Sequence, residues 1–149
     1  AVSDAKATVL EGLAGPVAAS ANLILERIVG GPLAQIQLAD DCELHALRPE
    51  GIDDEAEIGE MSGGEQEQIW FPTRLALADI LVRGEPQAVV LDDVFEKTDP
   101  ARLGRILDLL KERASRMQFI ILTCHPERYL PLVEGGGRSM HMEKFQVRV

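Results

Sequence analysis

No stretch of this sequence reaches the roughly 18 consecutive apolar residues that a membrane-spanning helix needs, and no charged-then-apolar leader opens it. A membrane partner is therefore not expected. Cysteine is nearly absent. Cys42 and Cys124 stand far apart, whereas a disulfide framework uses more cysteines at tighter spacing, so free thiols in a reducing cytoplasm are expected. Cys42-x-x-His45 is half of a zinc pattern, but without a second pair at ligand spacing it predicts no zinc site. Bases are scarce where acids cluster. Asp40 to Glu60 holds Asp40, Asp41, Glu43, Glu50, Asp53, Asp54, Glu55, Glu57 and Glu60 against one base, Arg48, within a net charge of −10. Such a run reads as a solvated loop. It does not suit a nucleic-acid backbone, because binding there depends on Lys and Arg displacing counterions.

What is present suffices for one domain over residues 1–149, with a core, and not for two. A first residue of Ala1 rather than Met leads us to expect either a processed start or a piece of a longer protein. From Ser3 to Val29, apolar residues at Leu10, Leu13, Val17, Ala21, Ile24 and Ile28 step by threes and fours along one helix face. Gly15-Pro16 should interrupt it, giving two helices or one kinked helix, because the residue before proline is pushed out of the α region. Gly30-Gly31-Pro32 ends the stretch. Ala34 to Leu38 alternates as a half-buried strand does, and Leu44 to Leu47 can pair with it across Asp40-Asp41.

Ser62 then opens a helix to about Val82, with Glu65 as its capping-box partner. Arg83 to Pro86 is a turn. Ala88 to Leu91 and Phe119 to Leu122 are short, continuous apolar runs that fit strands buried on both faces. Between them Pro100 starts a helix where its missing N–H costs nothing. Leu103, Ile106, Leu107 and Leu110 form its buried stripe and Arg102, Arg105, Lys111 and Arg113 lie outside it. A short helix over Glu127 to Leu132, a flexible turn at Gly135-Gly136-Gly137 and one or two edge strands within Ser139 to Val149 complete the chain. Strand, helix, strand with an apolar strand core predicts a parallel α/β sheet, with the strands at 34–38 and 44–47 as a small antiparallel pair.

Three motifs carry chemistry. Met61-Ser62-Gly63-Gly64-Glu65-Gln66 opens a helix, whose N-terminal N–H groups and partial positive charge attract phosphate. Val89-Val90-Leu91-Asp92-Asp93 puts two carboxylates at the C-terminal end of a buried strand, where α/β folds place ligands. One can hold Mg²⁺ through its water shell and the next can orient or deprotonate a water. Ile121-Leu122-Thr123-Cys124-His125 ends a second strand on a histidine able to hydrogen-bond a terminal phosphate. Each alone has a bland reading, as a capped polar loop, a turn or a structural histidine. Together they stand in order, 30 residues apart (62 to 92) and 33 apart (92 to 125), each gap fitting one helix with its connections.

In this order the motifs resemble the C-terminal lobe of ABC-type ATPase heads, within them the SMC, RecF and SbcC group. Large bacterial SMC-like ATPases of the YhaN type are similar in wording as well: TRLALA at Thr73 to Ala78, VVLDD at Val89 to Asp93, TDPARL at Thr98 to Leu103 and ILTCHPERY at Ile121 to Tyr129. The likeness covers about Ile24 to Met142. It implies the C-terminal half of a P-loop NTPase fold, with Ser62-Gly63-Gly64-Glu65 as the signature, Val89 to Asp93 as Walker B, Thr98-Asp99 as the D-loop and His125 as the switch histidine. By the same resemblance, Ser62, Gly63 and Gly64 would contact the γ-phosphate of ATP held by an opposing head, with Glu65 beside them. Asp92 would serve the Mg²⁺ shell, Asp93 would polarise the attacking water, His125 would sense the γ-phosphate and Asp99 would couple the two sites of a homodimer. DNA as a partner follows from the resemblance only.

Three residues depart from the family pattern. Asp93 stands where most ABC proteins have Glu, which shifts the water and slows turnover, though RecF-like members also use Asp. Thr98 replaces the usual Leu, and Pro72 should kink the signature helix. No G-x-x-x-x-G-K-[ST] occurs, so nothing cradles the β- and γ-phosphates. The chain alone is not expected to bind ATP tightly or hydrolyse it. A separate N-terminal P-loop lobe is the implied partner, with residues 1–29 as the root of a returning coiled coil. Competing readings are an ABC half-head of non-DNA function, and a binding module that keeps the fold without catalysis.

Overall fold

The computed structural model describes residues 2–29, 35–39, 44–47, 55–58, 61–82 and 87–141. The Gly30-Gly31-Pro32 stop, Cys42, most of the acidic run, the turn at 83–86 and the edge strands expected beyond 141 lie outside the described residues. Residues 139–141 form no strand.

Helix α1 runs from Val2 to Val29 without a break at Gly15-Pro16, so of the two forms expected the single helix is the one present. A proline removes one N–H bond but leaves φ helical. Here Ala14 and Val17 on either side of it are both buried, as are Ala21, Ile24, Leu25 and Ile28, and this packing holds the helix together. Strands β1 (Gln35–Leu38) and β2 (Leu44–Leu47) pair antiparallel. A third strand, β3 (Glu55–Glu57), adds to β2, so the small antiparallel pair is a three-stranded sheet that recruits part of the acidic run. Asn22 pins β1 to α1. Its Nδ2 donates to the Ile36 carbonyl at 2.9 Å and its Oδ1 accepts from the Ile36 N–H at 2.7 Å.

Helix α2 (Gly63–Leu81) also passes through its proline. Pro72 is fully buried in the core, and Thr73 Oγ1 donates to the Ile69 carbonyl one turn back at 2.8 Å. Packing again outweighs a local penalty.

Strands β4 (Gln87–Asp92) and β5 (Met117–Leu122) lie parallel, joined by α3 (Pro100–Arg113), with Val89 opposite Phe119 and Asp92 opposite Leu122. The α/β class is as expected from sequence, the two strands being the described part of its parallel sheet. Burial on both faces is not. Leu91 and Met117 face the core, with Val89, Phe119 and Ile121 partly buried against it, while Val90, Ile120 and Leu122 on the other face are 59%, 41% and 40% exposed. The apolar runs call for two covers, and the described residues supply one.

Helix α3 buries Leu103, Ile106, Leu107, Leu109 and Leu110. Its bases are more than a solvated face. Arg105 Nε donates to the Ile28 carbonyl at 2.7 Å at the end of α1, Arg113 Nε lies 2.8 Å from Asp79 Oδ2, and Arg102 Nε lies 3.2 Å from Asp99 Oδ2. A 3-10 turn (Pro126–Tyr129) and α4 (Leu130–Glu134) follow β5, where one short helix was expected. No helix among the described residues is long and apolar enough to cross a membrane.

Candidate functional site

Parallel pairing sets the site. Because Asp92 registers with Leu122, the residues just past each strand emerge side by side at one sheet edge. The Asp93 N–H extends the ladder, donating to the Leu122 carbonyl at 2.9 Å. Asp92, Asp93, Cys124 and His125 are all exposed there. His125 Nδ1 stands 3.4 Å from Glu127 Oε1, and its backbone N–H donates to Thr123 Oγ1 at 3.0 Å. The histidine is thus held by its own turn.

The other sequence-derived residues open helices. Ser62 caps α2. Its hydroxyl and its N–H both donate to Glu65 Oε2, at 2.7 and 2.9 Å, and the Glu65 N–H reaches back to Ser62 Oγ at 3.4 Å. This is the full capping box read from sequence. Gly63 and Gly64 form the first turn, and a Cβ placed on either would meet nothing within 4 Å. Asp99 caps α3, accepting from the Ala101 and Arg102 N–H groups at 3.1 and 3.0 Å. The Arg102 N–H, helped by the Arg102 guanidinium, holds the Asp99 carboxyl below its ordinary range.

For Mg²⁺ the donor chemistry fits. Asp92 and Asp93 offer hard oxygens, and no group of three metal-ligating side chains exists among the described residues. One or two carboxylates are what Mg²⁺ ordinarily takes from a protein.

A family described as SbcC/RAD50-like, Walker B motif, matches residues 42–112. An uncharacterized protein of Mycobacterium tuberculosis is 32% identical over 118 residues, 78% of this chain and 13% of its own length. These matches support a C-terminal fragment of an SMC/SbcC-like ABC ATPase head. The DNA double-strand break repair Rad50 ATPase of Methanocaldococcus jannaschii is 29% identical over 96 residues, 64% of this chain and 9% of its own length. The chain therefore spans about an eighth or less of these relatives. A solved SMC ATPase head, from work on ATP-driven dimerization and DNA-stimulated activation, superposes with a TM-score of 0.62 at 22% identity over 83% of this chain and 76% of that one. That likeness shows the fold.

Three features of this SMC/SbcC-like lobe were not read from its sequence as parts of the site. Cys124 Sγ lies 3.8 Å from both Asp93 oxygens. Asp93 and Phe95 adopt positive φ, 49° and 79°, at a cost of about 1–3 kcal/mol each for a side-chain-bearing residue. Phe95 offsets its share by burial. It is 2% exposed and meets Phe71 of α2 edge-on at 4.8 Å, and burying a Phe contributes about 1.5–3 kcal/mol. The third feature is the pair Arg128 and Tyr129, whose side chains donate to backbone carbonyls of the turn after Asp93. Its only sequence signal was the Pro-Glu-Arg-Tyr wording. Burial pushes the Tyr129 phenol up, so it stays a donor.

Local desolvation, and after it the Asp93 charge, push the Cys124 thiol up. The thiolate is the reactive form. In a Cys42→Ser background, iodoacetamide should therefore alkylate Cys124 more slowly at about pH 8 than it alkylates glutathione, and Asp93→Asn should quicken the reaction. An Asp93→Asn rate equal to that of the unsubstituted protein would show that Asp93 does not act on it.

Proposed function

We propose that this lobe supplies the signature, Walker B, D-loop and switch-histidine half of a composite ATP site. The nucleotide cradle would come from an N-terminal P-loop lobe and the second head from another copy. The observation that carries this reading is the parallel β4–β5 register, which sets Asp92, Asp93 and His125 at one edge of a sheet whose far face is left apolar and open. Val90, Ile120 and Leu122 are where a further lobe would cover the sheet, and Asp92 would hold Mg²⁺.

The roles follow from position. The N-terminus of α2, with Ser62, Gly63 and Gly64, receives the γ-phosphate of ATP bound on the opposing head, and Glu65 keeps the turn closed until then. Asp92 would hold Mg²⁺ through its water shell, and a bound ion would supply charge neutralisation at the phosphates. Asp93 polarises the attacking water, His125 contacts the γ-phosphate, and Asp99 carries the state of one site to the other. Hydrolysis needs all of these parts, so the lobe is an ATPase only when joined to its partner lobe. The relative named as a DNA double-strand break repair Rad50 ATPase supports a role in DNA repair or chromosome maintenance. Of the bases of α3, Arg105 and Arg113 are held by distant parts of the chain and are not free to form a DNA surface.

Mixing this chain with its P-loop lobe is expected to restore Mg²⁺-dependent ATP hydrolysis that neither shows alone. Persistent inactivity of a well-folded mixture would favour a binding module without catalysis. Tight ATP binding by this chain alone would remove the case for a composite site.

A further inference from the structure

The turn from Asp93 to Asp99 joins the carboxylate strand to the D-loop aspartate, and its backbone is unusual. Asp93 and Phe95 are the non-glycine residues at positive φ among those described. Side chains from one neighbouring element hold it. Arg128 donates through Nη1 to the Glu96 carbonyl and through Nη2 to the Thr98 carbonyl. The Tyr129 hydroxyl donates to the Val94 carbonyl at 2.9 Å. Carbonyls 94, 96 and 98 are therefore taken by two consecutive residues. Those residues belong to the 3-10 turn that begins directly after His125, and the Arg128 N–H closes that turn on the His125 carbonyl at 3.1 Å.

The chemistry of the two side chains suits bracing. A guanidinium is a planar fork that can span two carbonyls at once, which an ammonium does not reproduce. Both Nη atoms of Arg128 are committed to backbone, which leaves it badly placed to bind a phosphate. Tyr129 is buried, so its one hydrogen bond is shielded from water.

We infer that Arg128 and Tyr129 are positioning residues that latch the Asp93–Asp99 turn to the switch-histidine turn, so that Asp93, Asp99 and His125 shift together when nucleotide arrives. The inference rests on the composite ATP site proposed above and adds the device that couples its parts. Neither side chain needs to touch nucleotide. The latch transmits movement because the two turns share hydrogen bonds, and Phe95 against Phe71 extends the same unit to the signature helix.

The test is made in the full-length protein that carries this lobe together with its P-loop lobe, using Tyr129→Phe, Arg128→Lys and Arg128→Ala. Tyr129→Phe removes a single hydroxyl and keeps the ring. We expect kcat to fall about threefold to tenfold for Tyr129→Phe and about tenfold to a hundredfold for Arg128→Ala. KM for ATP should stay within about twofold of wild type, since ground-state binding is untouched. Arg128→Lys should rescue poorly. Hydrogen exchange should quicken at amides 94–99, including the Thr98 N–H bonded to the Phe95 carbonyl, with β4 and β5 unchanged. Unchanged kcat in the variants of an active wild type would overturn the latch alone, as would losses accompanied by faster exchange throughout β4 and β5. A wild-type protein that does not hydrolyse ATP would overturn the proposed function and the latch with it.

Discussion

A joined head carrying Asp93→Asn is expected to bind ATP and engage its partner head, yet to hydrolyse ATP at least about a hundredfold more slowly than wild type, the usual scale for losing a general base. The substitution is clean because of the backbone beneath it. Asp93 sits at φ 49°, in the left-handed region where Asn and Asp are the best tolerated residues after glycine. Asn keeps the size of the side chain and suits that conformation, so the fold and the turn survive. Only the carboxylate goes. Its two oxygens lie 3.8 Å from the Cys124 thiol, a weak donor that leaves them acceptors for a water. Steady-state phosphate release measures turnover, and light scattering with ATP measures engagement. Turnover at the wild-type rate would remove Asp93 from the catalytic role. The left-handed backbone also gives a physical ground for Asp where most ABC proteins have Glu. A longer side chain without the local hydrogen bonding of Asp is less favoured there.

Local chemistry made part of this legible in the sequence. The capping box of Ser62 and Glu65 needs residues only three apart, and Asp99 before Pro100 likewise announces a helix start. The apolar stripe of α3 reads at helical spacing. Legibility ended where distant parts of the chain decide. Gly15-Pro16 and Pro72 carry local penalties that core packing outweighs. The runs at 88–91 and 119–122 do state that both faces want cover, but a run does not say whether its own chain provides it. Here Val90, Ile120 and Leu122 remain open. Glu55 and Glu57 looked like part of an acidic loop and instead pair with β2, where backbone hydrogen bonding needs no particular side chain. At the site, Asp92, Asp93 and His125 were placed at strand ends from sequence because strand ends are predictable. Arg128 and Tyr129 were not, because they bind backbone carbonyls 30 to 35 residues away, and such targets leave no pattern in residue type.

The second large effect is expected from Gly64→Ala, with Gly63→Ala as its companion. Neither glycine is required by this chain. Neither has a left-handed backbone, and a Cβ on either meets nothing within 4 Å. In a helix, Ala in place of Gly stabilises by about 0.5–1 kcal/mol, less at the frayed first turn. By the fold alone, then, both positions would be better served by alanine. A glycine pair kept at the head of α2 is explained by something outside the chain that approaches its N–H groups closely. A γ-phosphate on an opposing head fits that description. A methyl group in its path costs about 1–3 kcal/mol as an overpacked contact, which weakens ATP-dependent engagement by about fivefold to a hundredfold. The expected result is therefore a lobe whose melting temperature is unchanged or slightly raised, together with a head whose ATP-dependent dimerisation is weaker by that factor. Asp93→Asn and Gly64→Ala thereby separate two halves of one event, since the first spares engagement and loses hydrolysis while the second weakens engagement before hydrolysis can begin. If Gly64→Ala left engagement and turnover intact, the N-terminus of α2 would not be where the opposing phosphate binds, and the composite site would have to be rebuilt around the sheet edge alone.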